Sequence, residues 1–343
     1  MKHDLSDIHN LYDFEPLAKI NMSHTAYEYV ASGAADELTM RWNRQAFDTL
    51  KLNPSVLTDV SKIDTSISLF GYQIPYPILI APTAFHKAMH PEGELATVRG
   101  ANAASAIYVV SSYTTTPLED IVQEATQPLW FQLYVRDDRE FTKDLFLKAE
   151  FLGCRALVIT VDTPVAGVRN RQDKAKFKLP DEINTFYTQG ELIGKKPITW
   201  DDMAWLISLV KIPVLLKGIL NAEDAEKALQ IGASGIVVSN HGGRNLDTVP
   251  ATIEALPRIA EKVNKRVPIL LDGGIRRGTD VLKALALGAD AVLVGKPICY
   301  GLGVAGAEGV AKVLEILKHE FELAMALIGK ATIESINRSV IWE

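Results

Sequence analysis

The chain has 343 residues, 48% of them hydrophobic and 23% charged, with a net charge of −6. That is enough apolar material for a large core, and no block of basic residues suggests a nucleic-acid partner. The mild acidity argues against binding an anionic membrane surface, and no apolar run is long enough to span a bilayer.

In chain order, residues 5–50 read as helical, with Leu11, Phe14, Leu17 and Ala18, then Tyr27, Tyr29 and Val30, at helical intervals and Gly33 as a stop. Asn53-Pro54 and Ile67–Pro75 read as loops and a short strand. Eight short apolar strands follow, at 77–81, 107–111, 129–134, 156–161, 213–217, 236–239, 268–272 and 291–295, most of them trailed by an amphipathic helix. Near-continuous apolar strands alternating with helices describe a parallel sheet covered on its outer side. Eight such units in one series predict a closed (β/α)8 TIM barrel. An open doubly wound sheet is the alternative, against which no glycine fingerprint follows the first strand. The organisation expected is one domain, with an N-terminal helical extension over 1–75, a barrel over 76–301 and a C-terminal helical segment over 302–343.

Successive strand ends mostly follow at about 20–30 residues, but Asp162 and Lys217 are 55 apart. The long loop after strand four holds the polar stretch Lys174–Lys196, so a lid is expected at about 174–200, with a plain surface loop as the alternative. The two cysteines, Cys154 and Cys299, lie in apolar surroundings and read as reduced core residues. Met1-Lys2-His3-Asp4 lacks an apolar signal core and Val340-Ile341-Trp342-Glu343 is no peroxisomal address. The expectation is a cytoplasmic protein with no membrane or nucleic-acid partner and no metal.

Chemistry concentrates in Ser239-Asn240-His241-Gly242-Gly243-Arg244, at the carboxyl end of the sixth barrel strand. His241 can accept a proton near neutrality, the glycines permit a tight turn beside a ligand, and Arg244 offers a planar fork for a carboxylate. A base beside a carboxylate clamp suggests chemistry on the carbon next to a carboxylate. A capped strand end with a satisfied histidine is the plainer alternative. Other strand ends supply Thr83, Ser111, Gln132, Tyr134, Thr160, Asp162, Lys217 and Asp272. So many polar residues on one barrel face describe a site.

Several segments together resemble one family. They are Pro82-Thr83-Ala84, His90-Pro91-Glu92-Gly93-Glu94, Trp130-Phe131-Gln132-Leu133-Tyr134, Thr160-Val161-Asp162-Thr163-Pro164 and Leu216-Lys217-Gly218. The hexapeptide at 239–244 and Asp272-Gly273-Gly274-Ile275-Arg276-Arg277-Gly278 complete the set. The chain is similar, from Tyr29 to Gly301, to the FMN-dependent L-2-hydroxy acid oxidases and dehydrogenases, which include glycolate and lactate oxidases. The resemblance implies FMN as cofactor, His241 as base, Asp162 orienting its imidazole, and Tyr134 bonding the substrate hydroxyl. It implies Tyr29, Arg169 and Arg244 around the substrate carboxylate, although Arg171 stands near Arg169. Tyr113 stands near the flavin and the substrate. Pro82, Thr83 and Ala84 would face flavin N5; Ser111, Gln132, Thr160 and Ser239 would border the ring system. Lys217 would sit by its N1–C2 carbonyl and Asp272 by the ribityl chain. Gly273, Gly274, Arg276, Gly295 and Lys296 would hold the phosphate.

The chain also departs from the family pattern. Lys296 replaces the usual arginine and loses its bidentate fork, and Asn245 replaces a glutamine. Tyr113 replaces the tryptophan of glycolate oxidases, and 165–171 looks like lactate oxidase. Small Ala166, with Tyr113 and Phe85 near the flavin, predicts a compact pocket for lactate or glycolate. The expected activity is therefore an (S)-2-hydroxy acid oxidase giving the 2-oxo acid and H2O2 from O2. A dehydrogenase using another acceptor, or a non-redox phosphate-binding barrel, is the alternative. Relatives of this kind imply a homotetramer, with an octamer as the alternative.

Overall fold

The computed structural model describes residues 4–188 and 197–342. The predicted lid at 174–200 is therefore described in part, since 189–196 lie outside the described residues.

A hairpin of β1 (Ile67–Leu69) and β2 (Tyr72–Ile74) precedes the barrel, with Ile67 opposite Ile74. The barrel strands are β3 (Ile78–Ile80), β4 (Tyr108–Ser111), β5 (Leu129–Leu133), β6 (Ala156–Thr160), β7 (Val214–Ile219), β8 (Gly235–Val238), β9 (Ile269–Leu271) and β10 (Ala291–Val294). They are parallel and close in chain order, β10 pairing with β3. Each lies within two residues of its predicted span, because a strand buried on both faces reads as an uninterrupted apolar run.

Two apolar clusters divide the core. One fills the barrel interior with Leu79, Ala81, Val109, Trp130, Val158, Leu215, Val237, Leu270 and Leu293; the other joins the outer strand faces to the helices. Leu69 and Ile74 of the hairpin belong to the interior cluster, and Phe70 packs on Trp130 with ring centroids 5.6 Å apart. The hairpin thus plugs the amino end of the barrel and leaves the carboxyl end open for a site. Sequence reading expected only loops and a short strand here.

The N-terminal extension forms helices at Phe14–Asn21, His24–Ala31 and Leu38–Thr49. After β10 one long helix, Lys296–Ile328, breaks its helical geometry at Ala305 and Gly306. Both cysteines are free and buried. Among the described residues no helix is long and apolar enough to cross a membrane.

Candidate active site

Strand periodicity explains the floor of the site. Side chains two residues apart share a face, so the residue two positions beyond each interior apolar one also points inward. Beyond Ala81, Val109, Trp130, Val158, Leu215, Val237, Leu270 and Leu293 stand Thr83, Ser111, Gln132, Thr160, Lys217, Ser239, Asp272 and Gly295. All eight strands deliver to one layer, with Ser111 in register with Gln132 and Thr160 with Lys217. Two residues further on come Phe85, Tyr113, Tyr134, Asp162, His241 and Gly274, a second tier above the floor.

Hydrogen bonds lock the floor. Ser111 Oγ donates to Gln132 Oε1 at 3.0 Å, and Gln132 Nε2 donates to Thr160 Oγ1 at 2.8 Å. Lys217 Nζ donates to Ser239 Oγ at 2.9 Å and pairs with Asp272 Oδ2 at 3.2 Å. Burial opposes the charge on Lys217, but Asp272 and Asp162 outweigh it and hold the ammonium above its ordinary range.

In the second tier, His241 Nδ1 lies 3.0 Å from Asp162 Oδ1, and the Tyr134 hydroxyl lies 3.4 Å from His241 Nε2. An ionised Asp162 only accepts, so it fixes the proton on Nδ1 and leaves Nε2 as a lone pair facing the cavity. Burial pushes the His241 pKa down, Asp162 pulls it back and Lys217 adds to the fall, so the imidazole is held neutral. Burial would raise Asp162, but His241 and Lys217 keep it below its ordinary value. Asn245 Nδ2 donates to Asp162 O at 3.0 Å and Oδ1 at 3.2 Å, a partner that sequence reading missed.

The clamp side is equally fixed. Arg244 donates to Ser32 O at 2.7 Å and to Gln172 Oε1 at 3.3 Å, and stacks 5.0 Å over the Tyr29 ring. Arg169 donates to Arg244 O and Asn245 Oδ1. Arg171 instead pairs with Glu28 at 2.8 Å and Glu37 at 3.2 Å, away from the cavity wall. Phe177, from the segment after β6, stacks on Tyr29 at 4.4 Å. Nothing but its being an apolar residue in a polar stretch signalled it.

These groups border one cavity of about 790 Å³, within the range of cofactor and ligand pockets. Of the predicted site residues, Tyr29, Pro82, Thr83, Ala84, Ser111, Tyr113, Tyr134, Arg169, Lys217, His241 and Arg244 line it. So do Asp272, Gly273, Gly274, Arg276, Gly295 and Lys296. Gln132, Asp162 and Ser239 stand behind, each bonded to a lining residue as described, and Thr160 is joined to the wall through Gln132. Lys296 Nζ donates to Ala31 O at 3.0 Å and sits 2.8 Å from Met40 Sδ. Asn43 and Arg44, from the N-terminal extension, also line the cavity and were not foreseen.

Over residues 18–343 the sequence matches the FMN-dependent dehydrogenase family. The chain belongs to that family. Among its relatives are a 2-hydroxyacid oxidase of Dictyostelium discoideum, 47% identical over 95% of this chain and 88% of the relative. A glycolate oxidase of Spinacia oleracea is 42% identical over 98% and 96%. A mandelate oxidase variant solved with (S)-mandelic acid superposes with a TM-score of 0.93, at 38% identity over 97% of this chain and 98% of that one.

As a member of the FMN-dependent dehydrogenase family the chain takes FMN, and the residues present fit that group. Among the described residues Asp272 Oδ1 is buried without a hydrogen-bond partner, as a carboxylate awaiting a ribityl hydroxyl would be. Gly273 and Gly274 have φ of 92° and 85°, and a Cβ on Gly274 would fall 2.1 Å from Asn43 O, so only glycine fits this turn. Burial, with Arg244 and Arg276 nearby, pushes Lys296 well below its ordinary range, a field that an anion such as a phosphate would relieve.

Proposed function

We propose that the protein oxidises a small L-2-hydroxy acid, lactate or glycolate, to the 2-oxo acid, with O2 reduced to H2O2. The observation that carries this reading is the neutral His241 imidazole, with Nδ1 on Asp162 and Nε2 facing Tyr134, in the same cavity as the Arg244 guanidinium. Such a group accepts a proton from a substrate whose carboxylate is gripped beside it. Arg244 and Arg169 would hold that carboxylate with Tyr29, and Tyr134 would orient the hydroxyl. Asp162 would stabilise the imidazolium once His241 has taken its proton.

Lys217, Asp272 and the Gly273-Gly274 turn would hold FMN, with Arg276, Gly295 and Lys296 at its phosphate. FMN when bound supplies the two-electron acceptor. A fixed ammonium at Lys217 favours negative charge on its ring. The aromatic wall of Phe85, Tyr113 and Phe177 supports a small substrate. The relatives named as oxidases support O2 as acceptor, and assembly as a homotetramer is proposed with it.

The test is anaerobic reduction of the FMN-loaded protein across a panel of L-2-hydroxy acids, read as loss of the yellow absorbance, followed by air and a peroxide assay. Bleaching by L-lactate or glycolate and stoichiometric peroxide are expected. Bleaching without peroxide would point to another acceptor, and no bleaching would overturn the reading. His241→Ala should keep the colour and lose the bleaching. Sedimentation velocity should show four copies.

A further inference from the structure

Arg136 lies three residues beyond β5 and belongs to none of the groups above. Its backbone N–H donates to Thr142 Oγ1 at 3.0 Å, and the Thr142 hydroxyl donates to Asp138 O at 2.9 Å, so the turn is fixed. The residue is only 6% exposed, yet among the described residues neither Nη1 nor Nη2 has a hydrogen-bond partner. Its guanidinium sits 5.4 Å from the centroid of the Tyr113 ring. Tyr113 lines the cavity, and its buried hydroxyl, on which the Arg136 guanidinium acts, has no close hydrogen bond among the described residues.

Buried donors left unmade are costly, and those of a cation the more so. A guanidinium fork beside a phenol O–H is the donor set that a carboxylate completes. The placement adds to this. Tyr29 meets Phe85 at 5.5 Å, and Phe85 meets Tyr113 at 5.8 Å. This aromatic wall carries a guanidinium at each end, Arg244 over Tyr29 and Arg136 over Tyr113. Tyr113 also stacks on Tyr134 at 4.6 Å, the residue whose hydroxyl faces His241.

We propose that Arg136 and the Tyr113 hydroxyl form a second carboxylate subsite, so that the enzyme also turns over L-2-hydroxy acids bearing a distal carboxylate. This rests on the hydroxy acid oxidation proposed above and widens its substrate class. The first carboxylate would lie at Arg244, and the second would reach Arg136 past the edge of Tyr113, which lines the cavity with Arg136 standing behind it. The chemistry is unchanged: the C2–H and O–H bonds break and the C2=O bond forms, one proton passing to His241. FMN when bound would supply the acceptor for the electron pair and the second proton, and O2 taking up two electrons and two protons would give H2O2.

The test compares kcat/KM for L-malate with L-2-hydroxybutyrate, and for L-2-hydroxyglutarate with L-2-hydroxyvalerate, pairs matched in carbon number. L-lactate is the control. In the wild type each dicarboxylate should exceed its monocarboxylate match. Arg136→Met should lower that ratio by about tenfold or more while lactate turnover changes less than about threefold. Arg136→Lys should fall between, because it keeps the charge without the fork. Because the guanidinium makes no hydrogen bond among the described residues and methionine keeps an apolar stem against the Tyr113 ring, Arg136→Met should fold and keep its Tm. A lowered Tm with an unchanged ratio marks a structural arginine and overturns the subsite, as does a wild type that prefers the monocarboxylates. If lactate fails to bleach the flavin as well, it is the underlying activity that falls.

Discussion

His241 adopts a φ of 58°, a left-handed conformation uncommon outside glycine, and Gly242 and Gly243 continue it at 64° and 71°. The backbone turn that this strain maintains is what brings the imidazole over Asp162. His241 and Arg244 were legible in the sequence because histidine, glycine and arginine have few reasons to follow a buried strand. Asn245 and Arg136 were not, since their roles depend on neighbours far apart in the chain. Asp162→Asn should lower kcat by about 100-fold or more, because the imidazolium loses its counter-charge after proton uptake. The pH profile gives a second, signed check. Burial holds His241 below its ordinary 6.5, so the acid limb of kcat/KM should lie below that value. Activity is lost as pH falls through it, when the base becomes protonated before substrate arrives. Asp162 raises this pKa, so Asp162→Asn should move the limb to still lower pH; a limb moving upward would contradict the assigned pairing.

The elements that sequence reading recovered are those whose signal is local and repeated. Barrel strands are short runs of Val, Ile and Leu, and their inward residues follow a period of two. The hairpin at 67–74 was missed because its turn, Phe70-Gly71, places a phenylalanine at φ 51°, a residue that carries no turn signal. The long C-terminal helix was expected to begin after Gly301, but it starts at Lys296 and breaks at Ala305–Gly306. That break folds the segment back on itself, and a Cβ on Gly309 would lie 1.9 Å from Gly301 O. Backbone facing backbone has little room to yield. Gly309→Ala should therefore destabilise the protein by about 1–3 kcal/mol, seen as a lowered Tm. The same substitution at Gly71, where nothing lies within 4 Å, meets no clash and only the strain of its φ of 83°. The contrast between the two variants separates steric crowding from backbone strain.

At the scale of the whole molecule, a closed barrel with its amino end plugged by Leu69 and Ile74 leaves one opening, and charge is gathered there. Lys217 and Asp272 sit buried on the floor, and Lys296 and Arg244 both reach toward Ser32 O, at 3.4 and 2.7 Å. Like charges packed this closely, with Asp272 Oδ1 unpartnered, oppose folding until a ligand with a phosphate and hydroxyls completes them. FMN should therefore act as a folding partner as well as a cofactor. Ligand at 100 times its Kd contributes about 2.7 kcal/mol, so FMN-stripped protein should unfold at a lower Tm and recover on adding FMN. The size of the recovery should depend on the groups that meet the anion. Arg276→Ala should shrink it, whereas Gly309→Ala should lower both melting temperatures and leave the difference between them intact. A recovery that is the same in the wild type and Arg276→Ala would place the phosphate elsewhere along the cavity.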